Sequence, residues 1–234
     1  MRVIILAGGF GTRLKTVVSD VPKPMAPIAG VPFLERQMRY MLKFGVTEFT
    51  LSVHHQHEKI EAHFGDTFES IPITYALEEE PLGTGGGIVF AMRTSSSEEP
   101  ILVLNGDSFI EMDYAAIYQQ HCASDTSLTM ALRHIPDTSR SGIVTLEGDT
   151  ITSFGERGEA GVSGLINAGV YAITPCLFED YQTGQAFSFE YDFMQQKAPD
   201  LEAVGYLTDG YFIDIGVPDD YARAQTELPP VLAA

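Results

Sequence analysis

The sequence predicts an α/β protein: a mostly parallel sheet with helices on both faces, joined to an antiparallel lobe. Three observations carry this. Strand-like and helix-like segments alternate through the first half of the chain. Two of the strand-like segments, VIILA (3–7) and ILVLN (101–105), are near-continuous apolar runs, as expected of strands covered on both faces. In the second half the alternation gives way to successive strands separated by turn residues.

Taken in order, the first strand is 3–7. Residues 33–44, FLERQMRYMLKF, place Leu34, Met38, Met41 and Leu42 at helical spacing, and Gly45 stands where a C-cap belongs. FTLSV (49–53) reads as a strand, EKIEAHF as a short helix, ITYAL (73–77) as a strand and GGIVFAMR (86–93) as a helix. The strand at 101–105 and an amphipathic helix at 113–122 follow. IVTLEGDTITSF (143–154) reads as a hairpin about Gly148-Asp149, LINAGVYAI (165–173) as a strand, Phe189 to Lys197 as a helix, and the end as a strand pair turning at Asp209-Gly210. The expected organisation is one domain over 1–227 with two lobes, about 1–112 and 113–227, and a frayed tail at 228–234.

Bulk composition removes several function classes. The net charge is −18, from 14 basic and 32 acidic residues, which argues against a general nucleic-acid surface. No apolar run has the length of a membrane span, and Cys122 and Cys176 are isolated, so no membrane partner, disulfide framework or zinc site is expected. A cytoplasmic protein is the plain reading. Half of the cations fall in the first 43 residues: Arg2, Arg13, Lys15, Lys23, Arg36, Arg39 and Lys43. Arg36, Arg39 and Lys43 fit the solvated face of a helix. The others sit near glycines, where an anion would be held.

Ligands of open α/β sheets gather at the carboxyl ends of the strands, and three segments fall there. The loop Gly8 to Arg13, in ILAGGFGTRL, is neither a Walker A sequence nor a dinucleotide fingerprint, because Leu14 stands where a third glycine should. With Arg13 attached, and with Lys23 stiffened between Pro22 and Pro24, it makes a triphosphate cradle. EEEPLGTGGGIVF (78–90) puts Gly83, Gly85 and Gly86 before a helix, offering free N–H groups at its start. NGD (105–107) ends a buried strand, and Asp107 with Asp214 of YFIDIG could share a magnesium ion, a hard cation that keeps company with phosphates. The histidines of VHHQHEKIEAHF suit a surface loop better than a metal site.

LAGGFGTRL, VPKPM, EPLGTGG, NGD and FIDIGVPDDY stand in the order and spacing of the sugar-1-phosphate nucleotidyltransferases, and the resemblance spans nearly the whole chain. It implies a Rossmann-like, GT-A-like fold with nucleotide on the first half and sugar phosphate on the second. The substrates would be a nucleoside triphosphate, GTP by the finer likeness, and a sugar 1-phosphate, a heptose 1-phosphate by the same likeness. A uridylyltransferase of N-acetylmuramic acid 1-phosphate or a hexose 1-phosphate is the alternative. The resemblance assigns Arg13 and Lys23 to catalysis, and Leu6, Gly8, Gly9, Gly11, Thr12, Gly83, Thr84, Gly85 and Gly86 to the nucleotide. It assigns Asn105, Gly142, Glu156, Arg157 and Asn167 to the sugar phosphate, Asp107 and Asp214 to Mg2+, and leaves a homodimer open. This chain departs from the family pattern in Arg157, where a lysine is usual, and in Phe212, where a tryptophan is often found. A dinucleotide-dependent oxidoreductase and a non-catalytic nucleotide-binding module are the competing classes; the first lacks its third glycine, the second has no need of both aspartates.

Overall fold

A computed structural model of the chain describes all residues except Phe10, Thr12, Lys15, Ser96 and Ala234, and leaves out the side chains of Glu156, Arg157 and Ala233. Strand β1 (Arg2–Leu6) runs into the glycine loop and a 3-10 turn at Lys23–Met25. The small hairpin β2 (Pro27–Ile28) and β3 (Val31–Pro32) then leads to α1 (Phe33–Met41). β4 (Glu48–Val53), α2 (His57–Phe64), β5 (Thr67–Phe68), β6 (Ile71–Leu77) and α3 (Gly83–Met92) follow. Next come β7 (Ile101–Asn105), β8 (Ser108–Ile110) and α4 (Tyr114–Cys122). The second half holds β9 (Leu128–Ile135), β10 (Gly142–Glu147), β11 (Thr150–Arg157) and β12 (Gly164–Ile173). A π-helical segment at Phe189–Met194 passes into α5 (Gln195–Lys197), and β13 (Val204–Thr208), β14 (Phe212–Asp214) and α6 (Pro218–Ala233) complete the chain.

Among the described residues the main sheet has the order β10-β11-β13-β9-β12-β7-β1-β4-β6-β5. It is parallel through β7, β1, β4 and β6. At β12, which runs antiparallel to both β7 and β9, it becomes mixed. Successive side chains of a strand point to opposite faces, and the apolar runs use both. Val3, Ile5, Leu102 and Leu104 join Leu34, Met38, Ile60, Ile117 and Leu228 on one face. Ile4, Ile101 and Val103 join Ile88, Val89, Phe178, Phe189 and Phe193 on the other. Local signals set the helix ends: Gly45 takes φ 73° after α1, and the Asp113 carboxylate accepts from the N–H groups of Ala115 and Ala116 at the start of α4.

Two sequence expectations are corrected. The residues flanking Asp209-Gly210 do not form a hairpin: β13 joins the main sheet parallel to β9, and β14 leaves it to pair antiparallel with β8. The tail does not fray. Pro229 and Pro230 suggest a break, because proline removes an N–H and crowds the preceding turn, yet α6 runs on to Ala233 with Leu228 fully buried and Val231 and Leu232 packed on the core. Burial outweighs the lost hydrogen bonds. Strand β9, unread in the sequence, lies mid-sheet with Leu128, Met130 and Leu132 fully buried.

Leu228→Ala should therefore lower unfolding free energy by about 2–5 kcal/mol. Urea titration followed by circular dichroism measures it, and an unchanged midpoint would mean that the end of α6 is not docked.

Candidate active site

The centre of the site is made by a chain reversal. Strand β7 ends at Asn105, and the N–H of Gly106 donates to the carbonyl of Leu6 at 3.0 Å, so the NGD turn folds over the end of β1. A Cβ at position 106 would collide with that carbonyl oxygen, which is why glycine stands there. Strand β8 then pairs with β14 in a register that sets Asp214 opposite Ser108, while the N–H of Ile215 donates to the carbonyl of Asp107 at 2.9 Å. Two carboxylates more than a hundred residues apart in sequence thus face one cleft. Buried Gln37 of α1 braces the turn, its Nε2 donating to the carbonyls of Asn105 (3.0 Å) and Ser108 (2.5 Å) on either side of Asp107.

Between the carboxylates stands Lys23. Its side chain is 9% exposed, and its Nζ lies 2.5 Å from Asp107 Oδ2 and 3.7 Å from Asp214 Oδ1. The turn that carries it begins after Pro22, with Pro24 buried behind it. Gly11, at φ +56°, lies against the Lys23 stem, where a side chain would meet the lysine Cβ. Desolvation in the cleft and the neighbouring Asp107 charge push the Asp214 carboxyl above the usual carboxylate range, while Lys23, the Gly216 N–H and Arg13 pull it back.

Two cavities open on this centre. One of about 400 Å³ is lined by Leu6, Gly8, Gly9, Lys23, Gly83 and Thr84 among others. The second, about 580 Å³, is lined by Arg13, Arg133, Arg140, Gly142, Phe154 and Asn167 among others. Asn105, Asp107, Glu190 and Asp214 belong to both. Of the expected nucleotide residues, Leu6, Gly8, Gly9, Gly83 and Thr84 line the smaller cavity, whereas Gly11, Gly85 and Gly86 line neither; of the expected sugar residues, Gly142 and Asn167 line the larger and Asn105 both. Arg13, assigned to catalysis, lies on the wall of the larger cavity. Thr12 lies outside the described residues, and Glu156 and Arg157 are placed only by their backbone at the end of β11.

The glycine helix departs from expectation. The N–H groups of Gly85 and Gly86 are not on offer, because both donate to the carbonyl of Phe187, at 3.0 and 3.3 Å. A Cβ at Gly85 would run into the Phe187 ring, one at Gly86 into the carbonyl of Gln185, and one at Gly87 into Glu78. These glycines let α3 pack against the 185–187 segment, leaving Gly83 and Thr84 at the cavity wall. Of the helix cations, Arg39 pairs with Glu35 and Glu69 and Lys43 lies over the Tyr40 ring, whereas half-buried Arg36 donates to the carbonyl of Ile28. His57 and His63 share hydrogen bonds with Glu61 and Glu35.

Sequence reasoning passed over several site residues. Glu78 is 7% exposed and lines the smaller cavity, its carboxylate accepting from Ser52 Oγ (2.6 Å) and the N–H of Leu82 (2.9 Å). Its three-residue acidic run, Glu78 to Glu80, resembles any solvated loop; only burial separates the first member from the others. Glu190 accepts from Thr84 Oγ1 at 2.7 Å. Asn105 Oδ1 and Ser108 Oγ, of two residues that line the larger cavity, are buried without a hydrogen-bond partner.

Comparison with known proteins bears on this geometry. The family description Nucleotidyl transferase matches residues 2–229. The chain belongs to the nucleotidyl transferase family, and it is a nucleotidyltransferase. It is 41% identical over 228 residues to the D-glycero-alpha-D-manno-heptose 1-phosphate guanylyltransferase of Aneurinibacillus thermoaerophilus, covering 97% of this chain and 98% of that one. To the enzyme of the same name from Campylobacter jejuni it is 42% identical, over 94% and 97% of the two chains. The crystal structure of HddC from Yersinia pseudotuberculosis complexed with GMP-PN superposes with a TM-score of 0.82 at 36% identity, covering 97% of this chain and 99% of that one.

Removing the cation between those carboxylates has a definite consequence. Lys23→Met leaves Asp107 and Asp214 repelling each other, so added Mg2+ should raise the melting temperature of the nucleotide-free variant more than that of the parent. Thermal unfolding across a Mg2+ titration tests this; equal responses would deny that Lys23 holds the position a cation would take.

Proposed function

We propose that this nucleotidyltransferase transfers the guanylyl group of GTP to a heptose 1-phosphate, giving a GDP-sugar and pyrophosphate. The observation that carries the reading is the shared wall: the smaller cavity suits the nucleoside end, the larger suits the sugar, and Lys23, Asp107 and Asp214 lie between them. A phosphate oxygen of the sugar attacks the α-phosphorus of GTP, and the bond to the pyrophosphate oxygen breaks in line. The second pKa of a phosphate monoester lies near ~6, so the nucleophile is already ionised at neutral pH and needs no general base.

The barrier is charge. Two like unit charges ~4 Å apart repel by about 4 kcal/mol at an effective dielectric near 20, and a dianion meeting a triphosphate presents several such pairs. Arg13, from the wall of the larger cavity, and Lys23, once drawn from its carboxylates to the phosphates, supply opposing charge. Asp107 and Asp214 are hard oxygen donors already holding a cation, which fits Mg2+. Mg2+ is held through one or two carboxylates and completes its shell with water and phosphate oxygens. When bound, it would neutralise phosphate charge and fix phosphate geometry. The rest of catalysis is positioning by the loops around the cleft.

Glu78 supports guanine as the base. A carboxylate only accepts hydrogen bonds, and guanine offers N1–H beside an N2 amino group as adjacent donors. Uracil presents a single N–H between two carbonyl oxygens, which such a carboxylate repels. Each Glu78 oxygen spends one lone pair on Ser52 or Leu82, leaving the other for the base.

Pyrophosphate release with Mg2+, heptose 1-phosphate and each of GTP, UTP, CTP, ATP and dTTP tests the proposal. Release with GTP is expected, and release with UTP alone would move the assignment to the uridylyltransferase branch. Glu78→Gln should lower kcat/KM for GTP about 10- to 100-fold, the worth of a charge-assisted hydrogen bond, and narrow the GTP-to-UTP ratio. An unchanged ratio would take Glu78 out of base selection.

A further inference from the structure

The two cavities are joined by a chain of hydrogen bonds that passes through a side chain no substrate can reach. Tyr171 of β12 is fully buried. Its phenol oxygen accepts from Asn167 Nδ2 at 2.6 Å, and its O–H donates to Glu190 Oε1 at 3.4 Å. Glu190 Oε2 accepts from Thr84 Oγ1 at 2.7 Å, and Thr84 Oγ1 in turn accepts from the N–H of Phe189 at 2.9 Å. Thr84 lines the smaller cavity and Asn167 the larger.

The local backbone gives this chain its sharpness. β12 carries a register shift between Asn167 and Tyr171, and Gly169 at φ +74° turns its N–H back to Asn167 Oδ1 at 2.8 Å. The Asn167 amide is thus held at both ends, by Gly169 and by Tyr171. Burial keeps the Tyr171 phenol protonated far above neutrality, so its O–H remains a donor to Glu190 throughout the working pH range.

We infer that Tyr171, with Glu190, is a positioning residue that couples the two substrate cavities: occupation of the nucleotide side at Thr84 fixes Glu190 and Tyr171, and through them the amide of Asn167 on the sugar-phosphate side. The coupling rests on the guanylyltransferase reading for the identity of its two ligands. It requires that each substrate tighten the other by the same factor, since linkage between two sites is reciprocal.

Isothermal titration of the full chain with a non-hydrolysable GTP analogue and heptose 1-phosphate, each alone and in the presence of the other, measures the coupling. The parent protein should bind sugar phosphate at least about 5-fold more tightly once the analogue is bound. Tyr171→Phe keeps the ring and removes one oxygen. It should leave affinity for the analogue within about twofold, as expected for a residue that acts through others, and bring the coupling factor to about 1. Glu190→Gln, which places an amino group or loses an acceptor at one of its two contacts, should weaken the coupling in the same direction. Independent binding in the parent, or parental coupling in Tyr171→Phe, would overturn the inference while leaving the reaction intact. Failure to bind either ligand would overturn the guanylyltransferase reading and the coupling with it.

Discussion

The site depends on the antiparallel pairing of β8 with β14. Neither strand belongs to the main sheet, and each is three residues long. Their register brings Asp214 beside the turn that carries Asp107. Everything in the cleft follows from that meeting: the repulsion of two carboxylates, the need for a cation between them, and the junction of two cavities at the same point. The pairing is itself anchored by apolar burial, since Phe109, Ile110, Ile213 and Ile215 are all at most 2% exposed. The hydrophobic effect thus holds together charges that would otherwise separate.

Charge in this molecule is distributed against its average. The chain carries −18 overall, yet Arg13, Arg133, Arg140 and Arg223 line the larger cavity. Arg140 and Arg223 are tied to Asp220, at 2.6 and 3.0 Å, and Arg133 donates to the carbonyl of Gly210. Arg140 thus ties the loop before β10 to α6, Arg133 ties the β13–β14 connection to β9, and the Arg223 pair lies within α6. Asp107, Asp137, Glu190, Asp214 and Asp220 line the same cavity, so its arginines offset the acidity of the chain there without making the wall positive, while the protein as a whole repels polyanions such as nucleic acid.

Glycine serves two purposes here that look alike in sequence. In the first loop, Gly8 and Gly9 line the nucleotide cavity, where bare backbone can approach phosphates. In α3, Gly85, Gly86 and Gly87 give room to Phe187, Gln185 and Glu78, and the helix N–H groups are consumed by a carbonyl from the second half of the chain. That close packing sets Ser188 to Glu190 beside Thr84, so the helix and the segment that covers it form one wall between the substrates.

The sequence by itself determined the alternating strands and helices, the parallel core and the hairpin at Gly148-Asp149, and it singled out Lys23 beside the glycine loop and the pair Asp107 and Asp214. Those are readable because apolar periodicity, turn residues and lone charges at strand ends are local facts. Only the tertiary structure decided which cavity Arg13 lines, that Lys23 stands between the two aspartates, that Gly85 and Gly86 pack against the 185–187 segment, and that β13 and β14 part company at Asp209-Gly210. Glu78, Gln37, Tyr171 and Glu190 stayed hidden for the same reason. Each is an ordinary residue type in an ordinary segment, and its role comes from burial and from partners contributed by distant strands. Long-range pairing and desolvation are properties of the folded chain, and no window of sequence contains them.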